Sequence, residues 1–287
     1  ESRREGEKER RGEGEKSGET GRKSESSEAT MKKLITIVLG LVISSAAFGW
    51  GQKGHDVAAA IAERHLTRKA AREVRRVLNG LSPVYVANWM DNASHTPLYA
   101  HTKTWHYFNI APDGEIETTE RLPEGDVLRA VTDLTAQLKS GSLEAGEEET
   151  ALRMLIHLVG DMHCPMHLGH AEDLGGNRLK VRFFGRETNL HTVWDTDLVE
   201  AAHRWSYSEW AEQIDNGLKK NDFRQIASGT PEEWVRETLG LCTRIYADTP
   251  EGTEISYDYV ARYAPIIESQ LLRAGLRLAQ LLNEIYG

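Results

Sequence analysis

The sequence predicts a single, mainly helical domain with one small β-hairpin near residues 175–187. Apolar residues recur at the three- and four-residue spacing of amphipathic helices through most of residues 50–287. The alternation that is typical of a strand appears in residues 175–184, whose sequence is GGNRLKVRFF. Neither a repeat nor an internal linker interrupts residues 50–287, so we expect one folded unit.

Two segments precede this predicted domain. Residues 1–30 are highly charged and have one alanine as their only apolar residue, so they cannot build a core. We expect a disordered upstream segment that is absent from the native product, or alternatively a charged arm. Residues 31–49 combine two lysines, a short apolar run and small residues, as in a signal peptide cleaved before Trp50. The apolar run is short for a membrane span, and we expect a secreted or periplasmic protein.

The first half of the predicted domain contains several helix signals. Alanine-rich helical spacing predicts helices over residues 55–66 and 67–78, and Thr67 is a suitable N-cap for the second. A further short helix is predicted over residues 83–91. The aromatic and β-branched segment 101–110 is expected to be extended or irregular.

The second half is predicted to be helical on both sides of the hairpin. The predicted helical regions are residues 124–140, 147–161, 189–202 and 206–286. Glycine and proline break the last region at residues 229–231 and 249–252. Its clearest amphipathic piece is residues 271–285.

Charge argues against nucleic-acid binding by electrostatics alone. Without residues 1–49 the chain has 238 residues, enough for one sizeable core, and 25 basic against 35 acidic side chains. A metal site would supply its own positive charge. The two cysteines, Cys164 and Cys242, leave disulfide pairing open, and Cys164 is either a free buried thiol or an outer metal ligand.

Histidine and aspartate are concentrated in the middle of the chain. His157 and Asp161 are spaced i, i+4, so on a helix both side chains leave the same face. His191 and Asp195 repeat this spacing, and His167 lies between the two pairs. Neutral imidazole and carboxylate are ligands of zinc, so this pattern favours a metal site over ordinary hydrogen bonds on a helix surface.

Further candidate ligands lie upstream of this stretch, and all 11 histidines fall between His55 and His203. The sequence WGQKGH begins at Trp50 and ends at His55. A free α-amino group at Trp50 can lose its proton and bind a metal ion. Together with the carbonyl oxygen of the same residue, it would form a five-membered chelate ring around that ion. Asp91 ends the sequence NWMD and His106 lies in WHYFN. A helix-start role for His55 and a capping role for Asp91 remain alternatives.

These motifs resemble the S1/P1 nuclease family of zinc-dependent enzymes. The resemblance rests on WGxxGH, WMD, WHYFN, HxxxD followed by PMH, GGN, and HxxWD, from Trp50 to about Asp195, and continues more weakly to the C terminus. It implies an all-α fold that holds three zinc ions in a cleft. Many relatives have glutamine where this chain has Cys164, and some fungal members have aspartate where it has Asn109, which changes the expected contacts to water.

The resemblance also implies which residues form the site, with three Zn²⁺ ions per chain. The first ion would be bound by Asp91, His106, His157 and Asp161. The second would be bound by the amino nitrogen and carbonyl of Trp50, by His55 and by a shared Asp161. The third would be bound by His167, His191 and Asp195. The expected catalytic residues are Asp161, Asn109, which orients water, and Asn177, which positions the scissile phosphate or the base.

The implied reaction is phosphodiester hydrolysis of single-stranded DNA and RNA to 5′-phosphate products, with 3′-nucleotides as further substrates. Unpaired bases can stack on aromatic side chains, for which Trp105, Tyr107 and Phe108 are candidates, although core packing is the more common role of such residues. Arg178 and Lys180 either follow the nucleic-acid backbone or lie on a solvated hairpin face. We expect a monomer without stable membrane association.

Two alternatives remain at this point. Zinc-dependent phospholipase C enzymes resemble the family in fold, in using an N-terminal tryptophan and in binding three zinc ions. The GGN sequence after PMH and the HxxWD spacing favour the nuclease. A zinc-storage or structural protein would instead hold its ions with closed, fully protein-ligated sites and would show no hydrolysis.

Overall fold

The computed structural model describes residues 50–111 and 114–287 of the chain. The predictions for residues 1–30 and 31–49 lie outside the described residues. The described chain is mainly helical with one small sheet, which confirms the predicted fold class. Among the described helices, none combines the length and the apolar character that a membrane span requires.

The first half contains the predicted helices with small shifts at their ends, except that the single helix predicted over residues 83–91 is two short helices in the structure. In chain order they are α1 (Gln52–Arg64), α2 (Arg68–Val77), α3 (Pro83–Val86), α4 (Trp89–Ala93), a 3₁₀ helix (Ala100–His106), α5 (Val127–Ser140) and α6 (Ala145–Met162). Thr67 caps α2 as predicted, because its hydroxyl accepts a hydrogen bond from Ala70 N at 3.1 Å. The segment 101–110 was expected to be extended or irregular, and this is wrong up to His106, because Ala100–His106 form a 3₁₀ helix.

The second half alternates short and long elements. They are 3₁₀ helices (Pro165–Leu168 and Ala171–Asp173), β1 (Lys180–Phe183), β2 (Arg186–Asn189), α7 (Leu190–Thr192), a π-helical turn (Val193–Asp197), α8 (Leu198–Ala202), α9 (Tyr207–Ile214), α10 (Lys220–Ala227), α11 (Pro231–Asp248), β3 (Glu254–Ile255) and α12 (Tyr257–Tyr286). The predicted break at residues 229–231 is confirmed, since Thr230 caps α11 together with Glu233.

The sheet has the order β2-β1-β3. β1 and β2 form the predicted hairpin, with Lys180 opposite Asn189 and Phe183 opposite Arg186. It begins five residues later than the predicted segment because Gly175 and Gly176 adopt positive φ angles of 65° and 83° and form a loop. β3 joins β1 in parallel and was not predicted, since two residues are too few for an alternation pattern.

Helix α6 lies in the interior of the described fold. It packs against α1, α2, α3, α4, α5 and α12. Close approach of α12 to α1 depends on Gly275, where a Cβ would lie 2.6 Å from the Ile61 side chain. Because the second half of α6 is surrounded on several sides, polar side chains there are removed from water and need protein or metal partners.

One of these polar side chains, His163 at the end of α6, has a structural role. Its Nδ1 donates to Val159 O at 2.7 Å, and its Nε2 accepts from Arg277 Nη1 at 3.0 Å. Burial and the nearby Arg277 lower the pKa of His163 to about 3, so the ring is neutral. Arg277 is 1% exposed, and its Nη2 donates a hydrogen bond to Glu237 Oε2. Its Cζ atom lies 5.1 Å from the centroid of the Trp234 ring. His163 therefore belongs to a packing network on α12 and not to the metal candidates.

Replacement of Arg277 by methionine is expected to lower the free energy of unfolding by about 2–4 kcal/mol, because it leaves His163 Nε2 buried without a donor. Chemical denaturation measures this change. Arg273→Met is the matched control, since Arg273 bonds the same Glu237 oxygen at 2.7 Å from a more exposed position. Equal losses in the two variants would contradict the role given to the buried arginine.

Candidate metal centre

Helix α6 carries the first histidine–aspartate pair of the site. The helix begins with a reciprocal cap between Glu144 and Glu147, which directs the chain into the interior. The four-residue spacing places His157 and Asp161 on one face, and both side chains are fully buried. The structure confirms that these two residues, which are spaced i, i+4 in the sequence, are in contact, because His157 Nε2 lies 3.2 Å from Asp161 Oδ2.

The Oδ2 atom of Asp161 faces a first group of side chains. It lies 2.9 Å from His106 Nδ1, which in turn is 3.1 Å from His157 Nε2. Asp91 Oδ1, from α4, lies 3.3 Å from His157 Nε2 and 3.9 Å from His106 Nδ1. The structure therefore brings together the four residues that the family resemblance assigns to one ion.

The Oδ1 atom of Asp161 faces in a different direction, towards His55 on α1. Oδ1 lies 3.3 Å from His55 Nε2, and neither atom has a hydrogen-bond partner. The His55 ring stacks on the His157 ring, with centroids 4.0 Å apart and planes inclined by 15°. Asp161 thus lies between two groups of histidines, and each of its oxygens is available to a different group.

A third group forms beyond the end of α6. Ligand-type atoms of Cys164, His167 and Asp195 lie within 4.8 Å of one another, and the three residues are buried. The His191 ring stacks against the His167 ring, with centroids 5.2 Å apart. Asp195 comes from the π-helical turn, a distortion that often occurs at functional sites. The three predicted residues are together, and Cys164 lies with them.

Trp50 lies at the start of α1, close to this third group. Its side chain is fully buried, and Gly51 N donates to Asp195 O at 2.7 Å. A Cβ at Gly54 would lie 2.8 Å from Trp50 Cβ, so glycine permits the tryptophan to pack on the first turn of the helix. The beginning of the described chain is therefore held between α1, which carries His55, and the turn that carries Asp195.

Backbone carbonyls orient three of the imidazole rings. Nδ1 of His157 donates to Ala87 O, and Nδ1 of His191 donates to Gly175 O. Nδ1 of His167 donates to His106 O. A ring that donates through Nδ1 presents Nε2 with its lone pair, and such bonds are typical around metal-binding histidines. The sequence holds no signal for these partners, because any residue type supplies a carbonyl.

The buried carboxylates have unusual acidities. Burial alone raises the pKa of Asp161, but the adjacent His157 and His167 rings and the hydrogen bonds from His106 and His157 outweigh burial and hold this pKa well below its ordinary value. Burial, reinforced by the charge of Asp161, places the pKa of Asp195 well above its ordinary value. Neighbouring buried carboxylates repel one another, and a cation between them would relieve that repulsion.

The donors fit a divalent metal ion such as zinc. Burial lowers the pKa of both His55 and His106, which favours the neutral imidazole that metals bind. Ligand-type atoms that are buried without a hydrogen-bond partner include His55 Nε2, Asp91 Oδ1, His106 Nε2, Asp161 Oδ1 and Asp195 Oδ1. Each costs about 1–3 kcal/mol if left unsatisfied, and cations held in the three groups would satisfy His55 Nε2, Asp91 Oδ1, Asp161 Oδ1 and Asp195 Oδ1.

Comparison with known proteins identifies the family. The family model "S1/P1 Nuclease" matches residues 50–287, which includes every residue of the site. The chain belongs to the S1/P1 nuclease family. The match confirms the resemblance inferred from the motifs and favours nuclease activity, the hydrolysis of phosphodiester bonds, over the phospholipase C alternative.

This member of the S1/P1 nuclease family is similar in sequence to individual proteins from a plant and from a fungus. Endonuclease 4 of Arabidopsis thaliana is 28% identical over 268 residues, covering 83% of this chain and 89% of the relative. Endonuclease 3 of the same plant is 29% identical over 281 residues, covering 88% and 95%. Nuclease P1 of Penicillium citrinum is 27% identical over 266 residues, covering 83% and 98%.

The two asparagines predicted to be catalytic lie at the edge of the S1/P1 nuclease site. Asn109 is half-buried in a segment that pairs with the chain after His167, through Phe108 N to His167 O at 2.8 Å. Asn177 is also half-buried, but its side-chain nitrogen donates to Leu174 O at 2.9 Å. The backbone bond from Phe108 thus holds the Asn109 segment next to the chain that carries His167, and the Asn177 amide is tied to its own loop.

The aromatic candidates for base stacking have different surroundings. Trp105 donates through Nε1 to Glu124 O at 2.7 Å, and Phe108 is buried beneath the Arg121 guanidinium. Tyr107 lines a cavity of about 500 Å³ together with Asn109. The exposed Arg178 and Lys180 lie in the loop and on β1.

Gly160 is a requirement of the site that the sequence did not reveal. A Cβ at this position would lie 2.7 Å from His55 Nδ1 and 3.0 Å from its Cε1, which is too close for the observed ring position. The glycine therefore allows the His55 ring to lie against α6 and to reach Asp161 Oδ1. A sequence signal for this contact is absent because it joins residues 105 positions apart.

Gly160→Ala is consequently expected to displace His55 and to lower the content of bound divalent metal, zinc included. Metal analysis of the purified protein measures this loss. The matched control is Gly146→Ala in the same helix, where a Cβ would meet no atom within 4 Å. Alanine is the better helix former, so the control should keep its zinc and lose no stability. Unchanged zinc in Gly160→Ala would show that His55 binds no ion.

Proposed function

We propose that this chain is a zinc-dependent nuclease that cleaves single-stranded DNA and RNA and leaves 5′-phosphate products, with 3′-nucleotides as further substrates. The observation that carries the proposal is the position of Asp161, whose two oxygens face separate histidine groups at 2.9–3.3 Å. A carboxylate in this position suits two ions held side by side. In this proposal the chain acts as a secreted or periplasmic monomer without stable membrane association.

The proposed ligand sets follow the three groups in the structure. The first comprises Asp91, His106, His157 and Asp161. The second comprises His55, Asp161 and the main chain of Trp50. The third comprises His167, His191 and Asp195. When bound, zinc supplies a water that ionises near neutral pH and positive charge for the phosphate oxygens.

The protein itself contributes orientation and a place for the base. Asp161 would fix the spacing of two ions, while the carbonyl-anchored rings of His157 and His167 would resist movement during the reaction. The cavity lined by Tyr107, Asn109 and Leu174 is about 500 Å³, large enough for a nucleobase. Asn109 donates and accepts hydrogen bonds but does not take up a proton as aspartate does, so we assign it to orienting water or the base.

Single-strand preference is consistent with the shape of this region. A base that enters the cavity beside Tyr107 must leave its stack, which costs least in single-stranded nucleic acid. Neither this cavity nor a second one of about 540 Å³ between α5 and α6 is lined by a proposed metal ligand. We choose the cavity beside Tyr107 for the base because Asn109, three residues after His106, lines it.

The test combines metal analysis with hydrolysis assays on the purified chain that begins at Trp50. We expect three zinc ions per chain, hydrolysis of single-stranded DNA and RNA, and loss of activity after removal of zinc by a chelator. Single-stranded DNA should be cleaved faster than duplex DNA, with phosphate retained on the 5′ ends. Zinc without hydrolysis would favour a storage protein, and cleavage of a phosphatidylcholine emulsion in place of DNA would favour a phospholipase.

A further inference from the structure

Cys164 is a buried thiol at the third histidine–aspartate group. It lies directly after α6, is fully buried and is not part of a disulfide. Its Sγ belongs to the set of ligand-type atoms within 4.8 Å of one another, together with a ring nitrogen of His167 and a carboxylate oxygen of Asp195. An ion about 2.0–2.3 Å from each donor would hold tetrahedral donors about 3.3–3.8 Å apart, so binding would draw a pair that lies near the 4.8 Å limit together by up to about 1 Å.

Asp195 provides an independent indication that a ligand is bound here. Its side chain is 5% exposed, and Oδ2 accepts a hydrogen bond from Thr196 Oγ1 at 3.2 Å. Its Oδ1 is buried and has no hydrogen-bond partner. A buried carboxylate oxygen that has no hydrogen-bond partner and lies next to a thiol and an imidazole is chemically suited to bind a borderline-soft cation.

We propose that Cys164 Sγ is a direct ligand of the zinc ion held by His167 and Asp195. The inference rests on the proposed function, which supplies that ion. Thiolate is a common zinc ligand, and a thiol that coordinates zinc gives up its proton. The S–H bond breaks on binding and the proton leaves to solvent.

Coordination by Cys164 would distinguish the third site from the other two. The proposed ligands of the first two sites offer nitrogen and oxygen donors, whereas the third would include sulfur. A thiolate brings one more negative charge to its ion and favours soft metals. The third ion should therefore be held more tightly against a chelator and should exchange for Cd²⁺ more readily than the other two.

Cys242 on α11 is a natural control. It is also a free thiol, 1% exposed, but it belongs to none of the potential metal-binding groups found in residues 50–111 and 114–287. Burial of the two thiols is matched, so general effects of removing a buried sulfur should be similar. Only the removal of Cys164 should change the surroundings of zinc.

The decisive experiment is zinc X-ray absorption spectroscopy on the zinc-loaded chain beginning at Trp50. We expect one sulfur per three zinc ions at about 2.3 Å, in addition to nitrogen and oxygen at about 2.0–2.1 Å. The sulfur shell should disappear in Cys164→Ala and persist in Cys242→Ala. The wild-type spectrum is informative without any variant, because a spectrum of three bound ions without sulfur would overturn the inference.

Metal competition provides a second readout. The number of ions that resist a fixed chelator concentration should fall by one in Cys164→Ala and stay the same in Cys242→Ala. Three bound zinc ions and nuclease activity without a zinc–sulfur shell would refute the role of Cys164 and leave the proposed function intact. A wild-type chain that binds no zinc would instead refute the proposed function.

Discussion

Replacing Asp161 with asparagine is expected to lower nuclease activity by about two orders of magnitude or more and to reduce the zinc content. Asparagine keeps the volume of the side chain but removes the negative charge between His55 and the pair His106 and His157. Loss of this charge weakens binding of both ions and alters the activation of water, so metal content and turnover should fall together. Measurements are zinc per chain and the initial rate on single-stranded DNA.

Asp215→Asn is the matched control for this variant. Asp215 is also a buried aspartate beside a histidine, since its Oδ2 lies 3.1 Å from His65 Nε2 and 3.0 Å from Arg64. It is remote from the three groups, so its replacement should reduce stability and leave the zinc content unchanged. An Asp161→Asn protein with three zinc ions and a normal rate would show that the carboxylate is not shared between ions.

A single methionine added before Trp50 is expected to remove one zinc ion and nearly all nuclease activity. The added residue converts the free α-amine at Trp50 to an amide, whose nitrogen has no available lone pair for a metal. Gly51 N donates to Asp195 O at 2.7 Å, which holds this segment of the chain beside the third group. Ions held wholly by side chains should remain.

This result is measured by comparing zinc stoichiometry and hydrolysis in chains that begin at Trp50 and at the added methionine. Trp50→Phe with a free amine is the control, because it changes the buried ring and keeps the proposed chelate. The control is expected to lose packing stability but to retain the second zinc ion, which the main chain of Trp50 is proposed to bind. Equal metal content and equal rates in the chain that begins at Trp50 and the chain with the added methionine would show that Trp50 is only a buried aromatic at the start of α1.

The residues of the candidate site were largely accessible from the sequence because ligand type and helical spacing are local properties. His157 and Asp161 lie four residues apart, and any helix through them must present both on one face. His163 lies in the same stretch, and the sequence alone does not show that it differs from His157 in having no metal-binding role. The structure turns it towards Arg277, where it serves packing and has no place in the metal groups.

Helix boundaries were also predictable where a cap is encoded in neighbouring residues. Thr67 and Thr230 accept hydrogen bonds from backbone N–H groups three residues later, as their types suggest. The two-residue β3 was missed because its pairing with β1 joins residues about 70 positions apart. Its formation depends on packing between those segments, which has no short-range sequence pattern.

By itself, the sequence determined the helical character of the domain, the donor types of the site and the family to which the chain belongs. Only the tertiary structure decided that the two oxygens of Asp161 face different histidines, that Gly160 makes room for His55, and that Cys164 lies with Asp195. The physical reason is the range of the interactions. Backbone hydrogen bonding and side-chain periodicity act within a few residues, whereas the site is assembled by packing helices whose residues are up to about 145 positions apart.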